Sequence, residues 1–250
     1  MGINFDTGLF RVGFRPKVQL NNRRNIYFGN IEQPNDSFEN NSVDRFFNED
    51  YIKNAIKQNP EVAKILSSRD IPIKINMEIL QDLKQHHCSD TAEICAQIVK
   101  NLPKALKDKV DLKDLKDAAM LHDFGKVLIP ENILNKPGVL YLYEHKIIDL
   151  HSQIGYELLK NSGLNDQVLK LIHNHHNADK FGDINLEILS LADKYSALTE
   201  RRPYKDSFSA QKALFILSKQ VNTGEIGRMV FNALVKAVLG QKVNSSVNIS

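Results

Sequence analysis

The pattern of apolar and polar positions divides the chain into a short unpatterned start and a long helical body. Residues 1–45 are rich in asparagine and arginine and show no sustained apolar period, which reads as a poorly ordered N-terminal arm. From about residue 46 apolar side chains recur at three- and four-residue intervals, the period of amphipathic helices. Residues 46–75 form a first helical extension, with Ile52, Ile56 and Ile65 set among lysines and glutamines and Asp50 placed to cap its start. A longer helix is predicted from Asn76 through Ile79, Leu80, Leu83, Ile94, Ile98 and Leu102, until Pro103 ends it. Asp111 or Asp114 can cap the next helix, whose stripe of Leu115, Ala118, Ala119 and Leu121 runs into His122 and Asp123, with Gly125 as a breaker. Residues 129–140 carry Pro130, Pro137 and Gly138 and read as loop. Residues 144–160 form an amphipathic helix closed by Gly163, and helices are predicted near 165–176, 185–200, 208–221 and 225–239. No segment alternates long enough to be a strand. The fold class is all-α, a helical bundle of about seven or more helices over residues 76–240, with a polar, flexible tail at 241–250.

Composition narrows the classes without choosing among them. A net charge of +3 gives no field strong enough to suggest DNA or an anionic membrane as partner. No stretch approaches the ~18 consecutive apolar residues of a membrane span, and residues 1–17 lack the apolar core of a secretory signal. Cys88 and Cys95 lie two helical turns apart, roughly 10 Å, too far for a disulfide. These features predict a cytoplasmic protein, and a homodimer is compatible with them.

The histidines and aspartates carry the chemistry. His122 and Asp123 end an otherwise apolar helix, where an unpaired carboxylate would be costly to bury. His151 lies on or beside the apolar face of its helix, His175 and His176 end another, and Asp193 interrupts the apolar run Ile188–Ala192. His87 falls within the long earlier helix. Any one of these is most simply a satisfied core or surface residue. Several facing inward from successive helices are better explained by metal, because a cation compensates the carboxylates and neutral imidazoles need no counter-charge.

In order and spacing, His87, His122–Asp123 and Asp193 resemble the H…HD…D signature of the HD superfamily. The segment Leu121-His122-Asp123-Phe124-Gly125-Lys126-Val127, followed by Ile129-Pro130-Glu131-Asn132-Ile133-Leu134 and Lys136-Pro137-Gly138, is similar to the HDIGK…IPxxIL-KPG segment of its HD-GYP branch. His151 with Gly155, the pair His175–His176, Ala192–Thr199 and Arg202-Pro203-Tyr204-Lys205 continue the likeness over roughly residues 75–240. The resemblance implies an HD-domain helical bundle holding two divalent metal ions. One would be bound by His87, His122, Asp123 and Asp193, the other by His151, His175 and His176, with Asp123 shared. Iron or manganese suits such a nitrogen and oxygen set, with zinc, nickel or cobalt possible. The implied activity is hydrolysis of a cyclic dinucleotide, cyclic di-GMP first, by a water or hydroxide held between the two ions. Asp123 and Lys126 are the implied catalytic residues, and Lys126 and Arg202 the implied contacts to substrate.

The sequence also departs from the branch. There is no Gly-Tyr-Pro after the paired histidines, Asn177 stands where the branch has a glutamate, and the loop to Asp183 is shortened. Ser196 replaces the second aspartate of the branch's DxxD, and Leu83 occupies the position that supports a third metal in some members. The complete ligand set argues for an active enzyme, and the rebuilt loop for a shifted preference that could admit another cyclic dinucleotide or a different nucleotide or phosphoester. Two other readings stand beside this one. A nucleotide- or partner-binding module without turnover is favoured by the altered loop. A mixed-valent di-iron oxygenase is opposed by Lys126 and Arg202-Pro203-Tyr204. His86, His145 and His173 match no ligand position.

Overall fold

The computed structural model describes residues 43–178, 182–200 and 207–246, with side chains described to residue 240. Among the described residues every regular element is helical. Val43, the first described residue, is buried, and Asp44–Phe46 forms a 3-10 turn. Helices α1 (Glu49–Gln58) and α2 (Pro60–Ser67) follow. The cap of α1 is Asn48, which accepts from the Tyr51 N–H, so Asp50 falls inside the first turn rather than before it. Asn59 joins the two helices. Its N–H closes α1, its side chain accepts from Glu61 N–H to open α2, and Pro60 sits where a helix needs no donor.

The helix expected from Asn76 is not uniform. It consists of α3 (Met77–Leu83), a π-helical turn at Lys84–Cys88, and α4 (Ser89–Asn101). Apolar spacing cannot reveal such a turn, because the extra residue it accommodates shifts the register by less than one full turn. A short α5 (Lys104–Lys107) leads to α6 (Leu112–Leu121), capped by Asp111. After a 3-10 turn at Phe124–Leu128, the expected loop contains one helical turn, α7 (Glu131–Leu134). Then come α8 (Leu142–Leu159), α9 (Asp166–Asn174), α10 (Ile184–Thr199), α11 (Ala210–Asn222) and α12 (Arg228–Ser246). The last helix runs past the predicted end near 239 into the segment expected to be a flexible tail.

Packing explains where the site forms. Helix α10 is buried on nearly all sides from Leu186 to Thr199, as expected of a helix apolar around its circumference. Helices α4, α6, α9, α11 and α12 contact it, and α8 lies across α9 and the 3-10 turn after α6. The N-terminal pair packs on α8, where Asn59 Nδ2 donates to the Glu157 carbonyl at 2.8 Å. The rings of Phe47 and Tyr51 meet Phe124 edge-on, with centroids 5.7 and 6.4 Å apart. The start of the described chain therefore buttresses the turn immediately after Asp123. No described helix is long and apolar enough to cross a membrane.

Candidate metal centre

Helix α6 delivers its apolar face to the core and ends at His122. Asp123 follows in the bridge region (φ −96°, ψ 6°), where the chain tightens into the 3-10 turn and the Lys126 N–H donates back to the Asp123 carbonyl at 2.9 Å. Gly125 is required at this turn. A Cβ there would collide with the His151 carbonyl oxygen and the Gly155 amide nitrogen of α8. Without that backbone-to-backbone contact, Asp123 and His151 could not face one another.

Three imidazoles are oriented in the same way. Nδ1 of His122 donates to the Ala119 carbonyl at 2.8 Å, Nδ1 of His151 to Ile148 at 2.6 Å, and Nδ1 of His175 to Ile172 at 2.7 Å. A carbonyl can only accept, so each ring carries its proton on Nδ1 and turns the Nε2 lone pair inward. His87, in the π turn, instead meets α10: its Nε2 is 3.1 Å from Asp193 Oδ1, and its Nδ1 is 3.3 Å from Ser196 Oγ.

Asp123 stands between two groups of ligating atoms. Its Oδ1 is 3.3 Å from His151 Nε2, while Oδ2 is 3.5 Å from His122 Nε2 and 3.6 Å from His87 Nε2. His151, His175 and His176 form one cluster, and His87, His122 and Asp123 the other, with the ligating atoms of each within 4.8 Å of one another. Asp193 Oδ1 adds to the second cluster, 3.8 Å from His122 Nε2.

These residues fit a metal. His151 and His175 hold their Nε2 atoms 3.2 Å apart with both Nδ1 positions already donating, so two lone pairs face each other unless a cation or a proton lies between them. Burial drives the protonated forms down. It takes His175 to about 4 and His151 well below the ordinary histidine range, with the Lys126 charge adding to the effect on His151. Burial likewise lowers His122, whose Nε2 is buried with no hydrogen-bond partner among the described residues. A proton is therefore a poor occupant near neutral pH, and a metal ion a good one. For His87 burial also acts downward, but its bond to Asp193 and the charges of Asp123, Asp193 and Glu200 outweigh it and raise the value. The two aspartates stay ionised. Burial opposes this, but the Lys126 charge and the facing His87 hold Asp123 far below the carboxylate range, and the bond from His87 does the same for Asp193.

Lys126 reaches the centre, as the resemblance implied. It is 4% exposed, not a solvated surface lysine, and its Nζ lies 2.6 Å from Asp123 Oδ2. Arg202 lies outside the described residues. The other histidines stay apart from the clusters: His86 Nε2 is 3.7 Å from Asp82, His173 stacks on Tyr156, and His145 is half-buried on α8. Leu83 is buried and offers no ligand atom. A cleft of about 470 Å³ beside Lys74, Asn76 and Glu131 contains none of the ligand residues, so the converging nitrogens locate the chemistry rather than the cavity. Sequence reasoning did not assign Ser196 and Glu200 to His87, with Glu200 Oε2 3.8 Å from its Nδ1. Their spacing of three and seven residues from Asp193, which puts all three on one face of α10, was the available signal.

Residues 84–198 match the family model for the HD domain. The chain is 30% identical over 161 residues to 3'3'-cGAMP-specific phosphodiesterase 1 of Vibrio cholerae, covering 60% of this chain and 37% of that protein. It is 35% identical over 136 residues to a cyclic di-GMP phosphodiesterase of Pseudomonas aeruginosa, covering 48% and 32%. A cyclic di-GMP phosphodiesterase response regulator of Xanthomonas campestris is 32% identical over 123 residues, covering 44% and 32%. The chain spans about a third of the length of these curated relatives. Residues 84–198 thus match the HD domain, and the chain is similar in sequence to cyclic dinucleotide phosphodiesterases over part of its length.

Proposed function

We propose that this chain is a metal-dependent phosphodiesterase that opens a cyclic dinucleotide by hydrolysing a phosphodiester bond. The observation that carries the reading is Asp123, with one carboxylate oxygen turned to the His151 cluster and the other to the His87–His122 cluster. A shared carboxylate between two histidine groups suits two divalent ions, and iron or manganese suits the donor set. When bound, such ions lower the pKa of a water and neutralise charge developing on phosphoryl oxygens. The protein's own part is to hold the ligands deprotonated and oriented, to exclude bulk water by burial, and to place the Lys126 ammonium beside the reacting phosphate. Arg202 is the proposed second substrate contact. The relatives' names include both cyclic di-GMP and 3'3'-cGAMP, which supports the substrate class and leaves the base preference to this chain's own Asn177–Asp183 region. A cytoplasmic setting agrees with two buried free cysteines.

The test is turnover of cyclic di-GMP, 3'3'-cGAMP, cyclic di-AMP and a simple phosphodiester by protein loaded with iron or manganese, with and without air. A linear dinucleotide is the expected product. Tight binding of a cyclic dinucleotide with no linear product under any of these conditions would replace this reading with the binding-module one, which the altered loop favours.

A further inference from the structure

In the His87–His122–Asp123 cluster, His87 is the imidazole whose ring is turned to a neighbouring helix instead of to a carbonyl of its own. His122, His151 and His175 each donate Nδ1–H to a carbonyl three residues earlier, at 2.6–2.8 Å. The π turn swings His87 towards α10, where Ser196 Oγ lies 3.3 Å from Nδ1 and Glu200 Oε2 lies 3.8 Å from it. Both partners are out of bulk solvent: Ser196 is buried, and the Glu200 side chain is 9% exposed. Glu200 is the residue that ends α10, and its N–H donates to the Ser196 carbonyl at 2.8 Å. That bond sets the two side chains one turn apart, facing the same imidazole.

We infer that Ser196 and Glu200 together are the positioning pair for His87, with Glu200 supplying one helical turn later the carboxylate that the HD-GYP pattern carries at position 196. This rests on the metal-centre reading and not on the choice of substrate. With Nε2 committed to a cation, the only ring proton is on Nδ1. Ser196 Oγ accepts it, and the Glu200 charge stabilises the partial positive charge the ring acquires. A carboxylate behind a ligating histidine fixes the ring and raises its basicity, and losing such support typically weakens metal binding about 10- to 100-fold. The effect is expected at the site that contains His87, the ring that both side chains face.

The experiment is Co²⁺ titration of the metal-free full-length protein, followed by visible absorption, with the melting temperature of each metal-free variant measured alongside. Glu200→Gln keeps the shape and removes the charge. It is expected to weaken one of two cobalt sites by about tenfold or more, leaving the other site and the metal-free melting temperature unchanged. Ser196→Ala should weaken the same site. Ser196→Asp in the Glu200→Gln background returns the carboxylate to the earlier turn and should restore affinity, which a merely structural role for Glu200 would not predict. Normal cobalt affinity in Glu200→Gln, equal loss at both sites, or loss that Ser196→Asp does not recover overturns the inference. If the unaltered protein takes up no Co²⁺, the metal-centre reading itself falls and this one with it. Uptake by the unaltered protein with an indifferent Glu200→Gln variant overturns this one alone.

Discussion

Lys126 Nζ sits 2.6 Å from Asp123 Oδ2, the same carboxylate oxygen that faces His87 and His122. The ammonium and a divalent cation are therefore drawn to one atom. Lys126→Ala removes the competitor and, with it, the proposed phosphate contact. Metal content measured by atomic emission should be undiminished while turnover of a cyclic dinucleotide falls by about 10- to 100-fold, the range for a lost charge-assisted bond of ~1.5–3 kcal/mol. Loss of metal in this variant would show that Lys126 acts on the ligands and not on the substrate.

Asp123→Ala should remove more metal than any other single ligand change, because this carboxylate alone faces both clusters. It should also destabilise the metal-free protein by about 3 kcal/mol or more, since the Lys126 ammonium is left buried without its partner. The double variant Asp123→Ala, Lys126→Met should regain much of that stability while staying metal-poor. His145→Ala should match the unaltered protein in both metal content and turnover. Equal damage from Asp123→Ala and His145→Ala would mean that the site has been drawn in the wrong place.

Gly125→Ala tests the backbone contact beneath the site. The added methyl meets main-chain atoms of His151 and Gly155, which no rotamer change can clear. A loss of at least ~2 kcal/mol is expected from forced overpacking, or a fall of roughly 4–8 °C in melting temperature for a domain of this size. An unchanged melting curve would rule out the close approach.

Asp183 gives a pH-dependent test away from the metal ligands. It caps α10 through the Asn185 N–H and pairs with Lys170 at 2.7 Å. Burial pushes its carboxyl up, but these bonds and Gln167 outweigh burial and hold it at about 2. A depressed value means that the ionised form stabilises the fold at pH above the unfolded value near 4, and that this contribution is lost as pH falls towards 2. Asp183→Ala should cost about 1 kcal/mol at pH 7, the usual value of a helix cap. The gap between variant and unaltered protein should narrow in denaturation curves taken from pH 4 down to 2. A pH-independent gap would assign the cost to shape instead of charge.

The all-helical class was legible in the three- and four-residue recurrence of apolar side chains, and the candidate ligands stood out because a histidine or carboxylate that interrupts an apolar run is costly to bury without a partner. Four features were not legible, each for a physical reason. The π turn at Lys84–Cys88 leaves the apolar spacing nearly intact, so it is invisible to periodicity. Gly125 reads as a helix breaker, while its actual role is to admit the backbone of α8, a partner 26 residues further along the chain. Lys126 alone reads as solvated, since burial of an ammonium depends on a carboxylate that only the folded turn brings to it. The segment Val43–Phe47 was not legible because Phe47 packs on Phe124 and Phe46 on Tyr51, with no repeat along a helix of their own.

The Nδ1 bonds of His122 and His175 end on carbonyls in the final turns of α6 and α9, positions where a helix has no backbone donor left to satisfy them. These two side chains are thus C-terminal stoppers of their helices as well as proposed ligands. His151 lies mid-helix, where the Ile148 carbonyl has a backbone partner available. Replacing either stopper by alanine removes the imidazole donor from a last-turn carbonyl even when no metal is present. Metal-free His122→Ala and His175→Ala should therefore each melt earlier than metal-free His151→Ala, by the ~1 kcal/mol of one hydrogen bond. The two terminal histidines would then be fixed by the needs of the scaffold as well as by the chemistry, and loss of activity alone could not tell one demand from the other.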